Sequence, residues 1–122
     1  MFELLKTSGA LGYTPYGLGF DGKNMWVCDA TNQLLKVYDR DFVLLKTSGA
    51  LGYTPYGLGF DGKNIWVGNT TNQLLKVYDR DFVLLKTSGA LGYGPIGLGF
   101  DGKNIWVCDD TNKVLKVYSR FT

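Results

Sequence analysis

The sequence predicts an all-β fold, a β-propeller with three four-stranded blades per chain, and two observations carry this prediction. The first is an internal repeat: the decapeptide "LLKTSGALGY" begins at Leu4, Leu44 and Leu84, which sets a period of 40 residues. The second is that each repeat holds four short runs rich in Val, Leu, Phe, Tyr and Trp, bounded by Asp-Gly, Ser-Gly and Pro. Four strands of about five or six residues and four short connections fill roughly 40 residues, the size of one propeller blade.

The strands of one repeat are predicted in order from these boundaries. They cover Tyr16–Phe20, Met25–Cys28, Leu34–Tyr38 and Phe42–Thr47, separated by the polar stretches "DGKN", "DATN" and "DRD". No window holds a ten-residue helical period free of glycine, so no helix is predicted. The repeats follow one another without gaps, at 4–43, 44–83 and 84–122, and form a single repeat domain over residues 1–122.

The motif "GLGFDG" occurs three times, at Gly17–Gly22, Gly57–Gly62 and Gly97–Gly102, and has the G-x-G-x-x-G spacing of a dinucleotide-binding loop. Such a loop needs a strand before it and a helix after it, whereas here a β-rich segment follows. We therefore predict no cofactor. The glycines are interpreted as a packing feature of the innermost strand, where neighbouring blades converge, and Gly22 as part of a hairpin turn after Asp21.

The segment "TPYGLGFDGKNMWVCDATNQLLKVYDRDFVLL" resembles the blade of the NHL-repeat and virginiamycin B lyase-like propellers. The resemblance covers essentially the whole chain and implies a propeller, while such blades serve binding and enzymatic scaffolds alike. The lyase activity in that superfamily depends on histidine, and this sequence contains none. The near-identity of the copies also resembles designed or reconstructed symmetric propellers, which implies a structural, self-assembling role.

Composition and charge narrow the range of functions further. The net charge of +2, with both signs interspersed, is not typical of a protein that binds nucleic acid or an acidic membrane. The start "MFELLKTSG" lacks the features of a signal peptide, which is consistent with cytoplasmic expression. Without histidine the commonest general base and transition-metal ligand are missing, and the carboxylates form no calcium-loop motif. We expect no enzyme activity and no metal site.

The order of strands along the chain predicts how it assembles. The chain begins with residues 2–7, the counterpart of a fourth strand, and ends just after a third strand, so its last blade lacks an outer strand. Three blades are too few to close a ring, because propellers have four to eight. We expect the chain to pair with itself, each spare strand completing a blade of a neighbour. A six-bladed homodimer is favoured, and a nine-bladed homotrimer is the second choice.

Differences between the copies indicate one candidate binding surface. Most of them fall on the rim that holds the turns after the second strands and the connections between blades. The alternative to a purely structural role is therefore a multivalent, lectin-like or peptide-binding module for a small glycan or peptide. The residues predicted to bind such a ligand are Tyr13, Tyr16, Asp29, Asn32, Tyr53, Tyr56, Asn69, Tyr93 and Asp109.

Three further expectations concern single side chains. Trp26, Trp66 and Trp106 lie in apolar runs and are predicted to pack between blades. Cys28 and Cys108 occupy equivalent positions two blades apart, farther than a disulfide is expected to span within one chain. In a six-bladed dimer, Cys108 would lie on the blade next to Cys28 of the other chain, but both are expected to be free thiols that act as small apolar fillers. Lysines of the outer strands, such as Lys36 and Lys46, are expected on solvated faces.

Overall fold

The computed structural model describes residues 2–120, within which eleven strands and no helix occur. Each sheet is antiparallel and meanders in chain order, and the three sheets are called blades one, two and three. The all-β propeller architecture predicted from the repeat is confirmed. Blade one contains β1 (Pro15–Phe20), β2 (Met25–Asp29), β3 (Leu34–Tyr38) and β4 (Leu44–Thr47). Blade two contains β5 (Pro55–Phe60), β6 (Ile65–Asn69), β7 (Leu74–Tyr78) and β8 (Leu84–Thr87). Blade three contains β9 (Pro95–Phe100), β10 (Asn104–Asp109) and β11 (Val114–Ser119).

The Asp-Gly turn between the first two strands forms as predicted. Phe20 pairs with Met25 across the hairpin, and Gly22 adopts φ 95°, a conformation that glycine takes at no steric cost. One carboxylate oxygen of Asp21 accepts hydrogen bonds from the backbone N–H groups of Lys23 (2.9 Å) and Asn24 (2.7 Å). The side chain of Asp21 thus satisfies the donors of the turn that it starts.

The outer strand of each complete blade is shorter than predicted. In blade one it begins at Leu44 rather than at Phe42, because Phe42 adopts φ 65° and therefore belongs to the preceding turn. Asp39 organises this turn, since its side chain accepts hydrogen bonds from the N–H groups of Asp41 (2.8 Å) and Val43 (3.0 Å). The same geometry recurs around Phe82 in blade two, with φ 66°.

The first strands of the blades, β1, β5 and β9, pack side by side and form the innermost layer. Glycine is required there: a methyl group on Gly17 would lie 2.3 Å from the carbonyl oxygen of Tyr56, and one on Gly57 would lie 2.2 Å from that of Ile96. The prediction that these glycines permit close approach of neighbouring backbones is confirmed.

Residues 2–10 form no strand within the chain. The expectation that residues 2–7 complete a blade of a neighbouring chain stays a prediction. Met1, Phe121 and Thr122 lie outside the described residues, and with them the last two positions of the repeat at 84–122. Across residues 2–120 we find no helix of the length and hydropathy needed to cross a membrane.

Candidate functional site

Blade three ends the stack with an apolar face that the other blades bury. Trp26 and Trp66 are 0% and 6% exposed, whereas the equivalent Trp106 is 42% exposed. Leu115 is 64% exposed, although its counterpart Leu35 is fully buried. The prediction that the tryptophans pack between blades is confirmed for Trp26 and Trp66. For Trp106 it stays a prediction, because within residues 2–120 no blade packs against this side of blade three. We call this surface the trailing face; it comprises Trp106, Cys108, Leu115 and Val117.

At the other end of the stack, blade one exposes the apolar side that blade two buries against its neighbour. Leu18 is 60% exposed, while its counterpart Leu58 in blade two is 2% exposed. Leu18, Met25, Val27 and Tyr38 line a groove of about 610 Å³ together with residues 8–11. We call this surface the leading face; it comprises Tyr13, Leu18, Met25, Val27 and Tyr38.

The junction between blades one and two shows what each face packs against. One buried cluster joins the trailing side of blade one to the leading side of blade two, with Trp26, Cys28, Leu35 and Val37 against Tyr53, Leu58, Ile65, Val67 and Tyr78. A second cluster repeats the arrangement between blades two and three. The open trailing face of blade three and the open leading face of blade one are therefore the two halves of the same kind of junction.

The space around Gly97 also indicates that blade three lacks a neighbouring blade on this side. Gly17 and Gly57 face a carbonyl oxygen of the following blade, which leaves no room for a Cβ atom. At Gly97 the nearest atom to such a Cβ is Cys108 Sγ of the same blade, at 3.3 Å, and no backbone atom lies within 4 Å. The chain thus keeps a glycine at Gly97 although within the described residues no following blade approaches it.

Lys6 of the N-terminal segment makes the contacts of an outer-strand lysine beside blade one, although residues 2–10 form no strand. Lys6 Nζ donates to the carbonyl oxygen of Arg40 and lies 3.5 Å from Asp41 Oδ1. Its counterpart Lys46, which lies in β4 of blade one, makes the same contacts with Arg80 and Asp81 of blade two. Residues around Lys6 therefore sit where the outer strand of a blade preceding blade one would sit.

The edge strand β11 offers the backbone groups that such an outer strand would pair with. In blade one, the backbone N–H of Ser48 donates to the carbonyl oxygen of Leu35 (2.9 Å), and the N–H of Leu35 donates to Ser48 Oγ (2.9 Å). Leu115 is the counterpart of Leu35, and among residues 2–120 no strand pairs with this edge of β11. An unpaired edge of this kind accepts a further strand readily.

Most residues of the predicted ligand site lie in internal polar networks. In blade one, Asp29 is fully buried; its Oδ2 accepts from Asn32 Nδ2 (3.0 Å) and lies 3.1 Å from Lys36 Nζ. Lys36 also lies 4.1 Å from the ring centroid of Tyr13, whose hydroxyl is 2.5 Å from that of Tyr38. Lys36 is thus not on a solvated face, contrary to the prediction, because the buried carboxylate draws its ammonium group inward.

This network controls the ionisation of Asp29. Burial raises the pKa of the Asp29 carboxyl group, but the hydrogen bonds from Asn32 and the ammonium group of Lys36 outweigh burial. The pKa of Asp29 therefore lies below its ordinary value, and the group is charged at neutral pH. Blade three repeats the network with Asp109, Asn112 and Lys116, and Tyr93 is buried there as Tyr53 is in blade two.

Tyr16 and Tyr56 are the predicted site residues that remain outside these networks. Their rings stack, with centroids 4.8 Å apart and planes inclined by 16°. Together with Ile96 they line a cavity of about 440 Å³ along the innermost strands. The nine predicted residues therefore do not form one site: Tyr16 and Tyr56 face the inner cavity, and the other seven, Tyr13, Asp29, Asn32, Tyr53, Asn69, Tyr93 and Asp109, belong to the networks between strands.

Sequence analysis did not predict that Asp21 would position a tryptophan. Asp21 Oδ2 accepts a hydrogen bond from Trp26 Nε1 (2.8 Å), and the same bond joins Asp61 to Trp66. The constant five-residue spacing from Asp to Trp in all three repeats was the available signal. This bond fixes the orientation of the large side chain that fills each junction.

The two cysteines are free thiols, as expected, but they differ in environment. Cys28 is fully buried at the junction of blades one and two, and burial raises the pKa of its thiol to about 12. Cys108 is exposed on the trailing face. Within residues 2–120 there is no group of three or more Cys, Asp or Glu side chains placed to hold a metal ion.

Comparisons with known proteins agree on the fold. No family profile and no curated protein matches the chain. Among solved structures, it is similar to the computationally designed Ika4 protein (TM-score 0.56, 15% identity, 99% of each chain). It is also similar to BBS1N from a complex with ARL6DN (TM-score 0.70, 16% identity, 96% of this chain and 37% of that chain). A third match is the β-propeller domain of Cps50 (Swd1) from Myceliophteria thermophila (TM-score 0.67, 10% identity, 82% of this chain and 37% of that chain).

The chain therefore spans little more than a third of the length of the last two proteins. Identities of 10–16% carry information on fold alone. With two four-stranded sheets, one three-stranded sheet and open faces at both ends, the chain is a β-propeller repeat module.

Proposed function

We propose that the chain is a symmetric, self-assembling β-propeller of the NHL-like kind, with a structural role and no catalytic activity. One observation supports the proposal above all. The trailing face of blade three and the leading face of blade one are both exposed, and equivalent faces pack against each other at the two junctions within the chain. The trailing face of one chain packs against the leading face of a second chain, and two such contacts close a six-bladed homodimer. Interfaces of this head-to-tail kind close into rings when the rotation allows it.

Strand exchange completes each contact between chains. Residues 2–7 add to the free edge of β11 of the neighbour, as β4 adds to β3 within blade one. By the register of blade one, the N–H of Leu115 would donate to Ser8 Oγ, and the N–H of Ser8 to the carbonyl oxygen of Leu115. Since Lys6 already contacts the turn at Arg40, little rearrangement is needed.

Six blades are preferred to nine because propellers have four to eight blades. The similar propeller domains are between two and three times as long as this chain, which supports a ring that needs more than one copy. The near-identity of the repeats, and the likeness to a designed protein that covers 99% of both chains, support a symmetric assembly that was designed or reconstructed.

Native mass spectrometry and sedimentation equilibrium test the proposal. We expect the full chain at twice the monomer mass of 13.5 kDa, or three times that mass in the nine-bladed form. Trp106→Glu should shift the chain towards monomer, because it places a charge in the centre of the contact. Lys63→Glu introduces a glutamate at the equivalent exposed turn of blade two, which is not at an open end of the chain, and is the control. A soluble monomer at micromolar concentration would refute ring closure.

The stacked pair Tyr16 and Tyr56 favours one second function, the binding of a small glycan or peptide at the inner cavity. Aromatic rings are common contacts for sugars and peptide side chains. If an array identifies a ligand, changing both tyrosines to Ala should weaken its binding by at least tenfold. The far-UV circular dichroism should stay unchanged, and Leu45→Ala on the outer strand is the control. Unaltered affinity in the double variant would place the ligand elsewhere.

A further inference from the structure

The buried polar network of blade two differs from those of blades one and three at a single position. Asn69 stands where the other blades have Asp29 and Asp109. It is fully buried, and its Oδ1 accepts from the N–H of Asn72 (3.0 Å), as Asp29 Oδ1 accepts from that of Asn32 (2.9 Å). The amide nitrogen Nδ2 of Asn69 thus takes the place of a carboxylate oxygen.

That nitrogen has no hydrogen-bond partner in the described part of the chain. Its equivalent, Asp29 Oδ2, accepts from an asparagine Nδ2 and from a lysine Nζ, so in blade one both neighbours of this position act as donors. Turning the amide of Asn69 over would not help, because Nδ2 would then face the N–H of Asn72, another donor. A buried donor left unpaired is costly, and native proteins seldom retain one without a ligand or water.

Because Asn69 replaces an aspartate, Lys76 lacks the carboxylate that pairs with the equivalent lysines. Lys36 and Lys116 lie 3.1 Å and 3.2 Å from a buried carboxylate, while no carboxylate of residues 2–120 pairs with Lys76. Lys76 Nζ lies 5.1 Å from the ring centroid of Tyr53, compared with 4.1 Å for Lys36 over Tyr13. The half-buried Lys76 therefore has no carboxylate partner within residues 2–120. The pairing of Asn69 with Leu74 places Lys76 in the register in which Lys36 reaches Asp29. The exposed Asn72 borders this site on the solvent side.

We propose that blade two binds a small monovalent anion of the halide class between Asn69 Nδ2, Asn72 Nδ2 and Lys76 Nζ. An acceptor-only ion satisfies the three donors and replaces the charge that Asp29 and Asp109 supply in the sister blades. The site lies within one blade and does not depend on ring closure.

Thermal unfolding in sodium chloride or sodium gluconate, at equal ionic strength and protein concentration, tests the site. With chloride at about five times its dissociation constant, the Tm of the wild-type chain should exceed that in gluconate by roughly 4 °C. Asn69→Asp supplies the missing carboxylate. It should raise the Tm in gluconate and abolish the chloride effect. Asp29→Asn creates the same donor cluster in blade one, and should lower the Tm in gluconate and enlarge the chloride effect.

Crystals grown in sodium bromide give a direct readout. An anomalous peak within hydrogen-bond distance of Asn69 Nδ2, absent in Asn69→Asp, would support the site. Equal chloride dependence of the wild type and Asn69→Asp, or a bromide map without a peak at Asn69, would overturn it. Native mass measured on the same samples separates this outcome from a failure of ring closure.

Discussion

Replacing Gly97 by alanine should leave the single chain folded and prevent two chains from closing into a ring. Within the chain, the added methyl group meets only Cys108 Sγ, at 3.3 Å, on an open face where this side chain can move. In the ring, the same methyl group would meet the carbonyl oxygen of Tyr16 of the neighbour, at the 2.2–2.3 Å seen for Gly57 and Gly17. A backbone oxygen cannot move aside without distorting the innermost strand.

The expected effect is large because a dimeric ring contains two such contacts. Overpacking costs about 1–3 kcal/mol at one site. Two sites together should therefore cost about 2–6 kcal/mol and weaken association by at least about thirtyfold. Native mass should shift from dimer to monomer with an unchanged far-UV spectrum.

Two matched variants separate assembly from folding. Gly57→Ala puts the same methyl group at an internal junction and should lower the stability of the chain itself. Gly89→Ala, where no atom lies within 4 Å, should change neither mass nor stability. A dimer of unchanged affinity in Gly97→Ala would show that the ring does not close through this face.

Thiol labelling gives an independent readout of the same change. In the ring, Cys108 should be as protected as Cys28, whose thiol is buried and has its pKa raised to about 12. A thiol-specific reagent at pH 8 should therefore modify neither cysteine of the wild type quickly, because the reactive thiolate is scarce and shielded. In Gly97→Ala it should modify Cys108 alone.

Removing residues 1–8 should open the ring or cause aggregation, because it leaves the edge of β11 without its donor strand. Each contact between chains would lose several backbone hydrogen bonds, including the pair between Ser8 and Leu115, each worth about 0.5–1.5 kcal/mol. Leu4 and Leu5 add less than full burial would, since their counterparts Leu44 and Leu45 stay about half exposed even when paired. The exposed edges are then free to pair at random.

A synthetic peptide of residues 2–12 provides the control. Added to the truncated chain, it should bind the edge of β11, restore solubility and restore the dimer, because it supplies the same backbone groups in trans. Leu4→Ser with Leu5→Ser keeps the backbone and should weaken the dimer less than truncation. A truncated chain with the mass and Tm of the full chain would refute strand exchange.

Local sequence was sufficient to predict the blade itself. The period of 40, the three inner strands of each repeat and the Asp-Gly turn at Gly22 follow from alternation, turn residues and spacing, which act within a few residues. The close approach at Gly17 was also predictable, because a glycine that alternates with large residues in a strand leaves space on one face for a neighbouring backbone.

Only the tertiary structure decided which equivalent residues differ in environment. Trp26 and Trp106 have the same local sequence, yet one is buried and the other exposed, because burial depends on whether a blade follows. Lys36 turns inward and Asn69 is left with an unpaired donor for a similar reason: both depend on groups brought together across strands. The burial of the tryptophans is set by the stacking of blades, and the polar contacts are set by the pairing of the second and third strands within a blade; neither is encoded by adjacent residues alone.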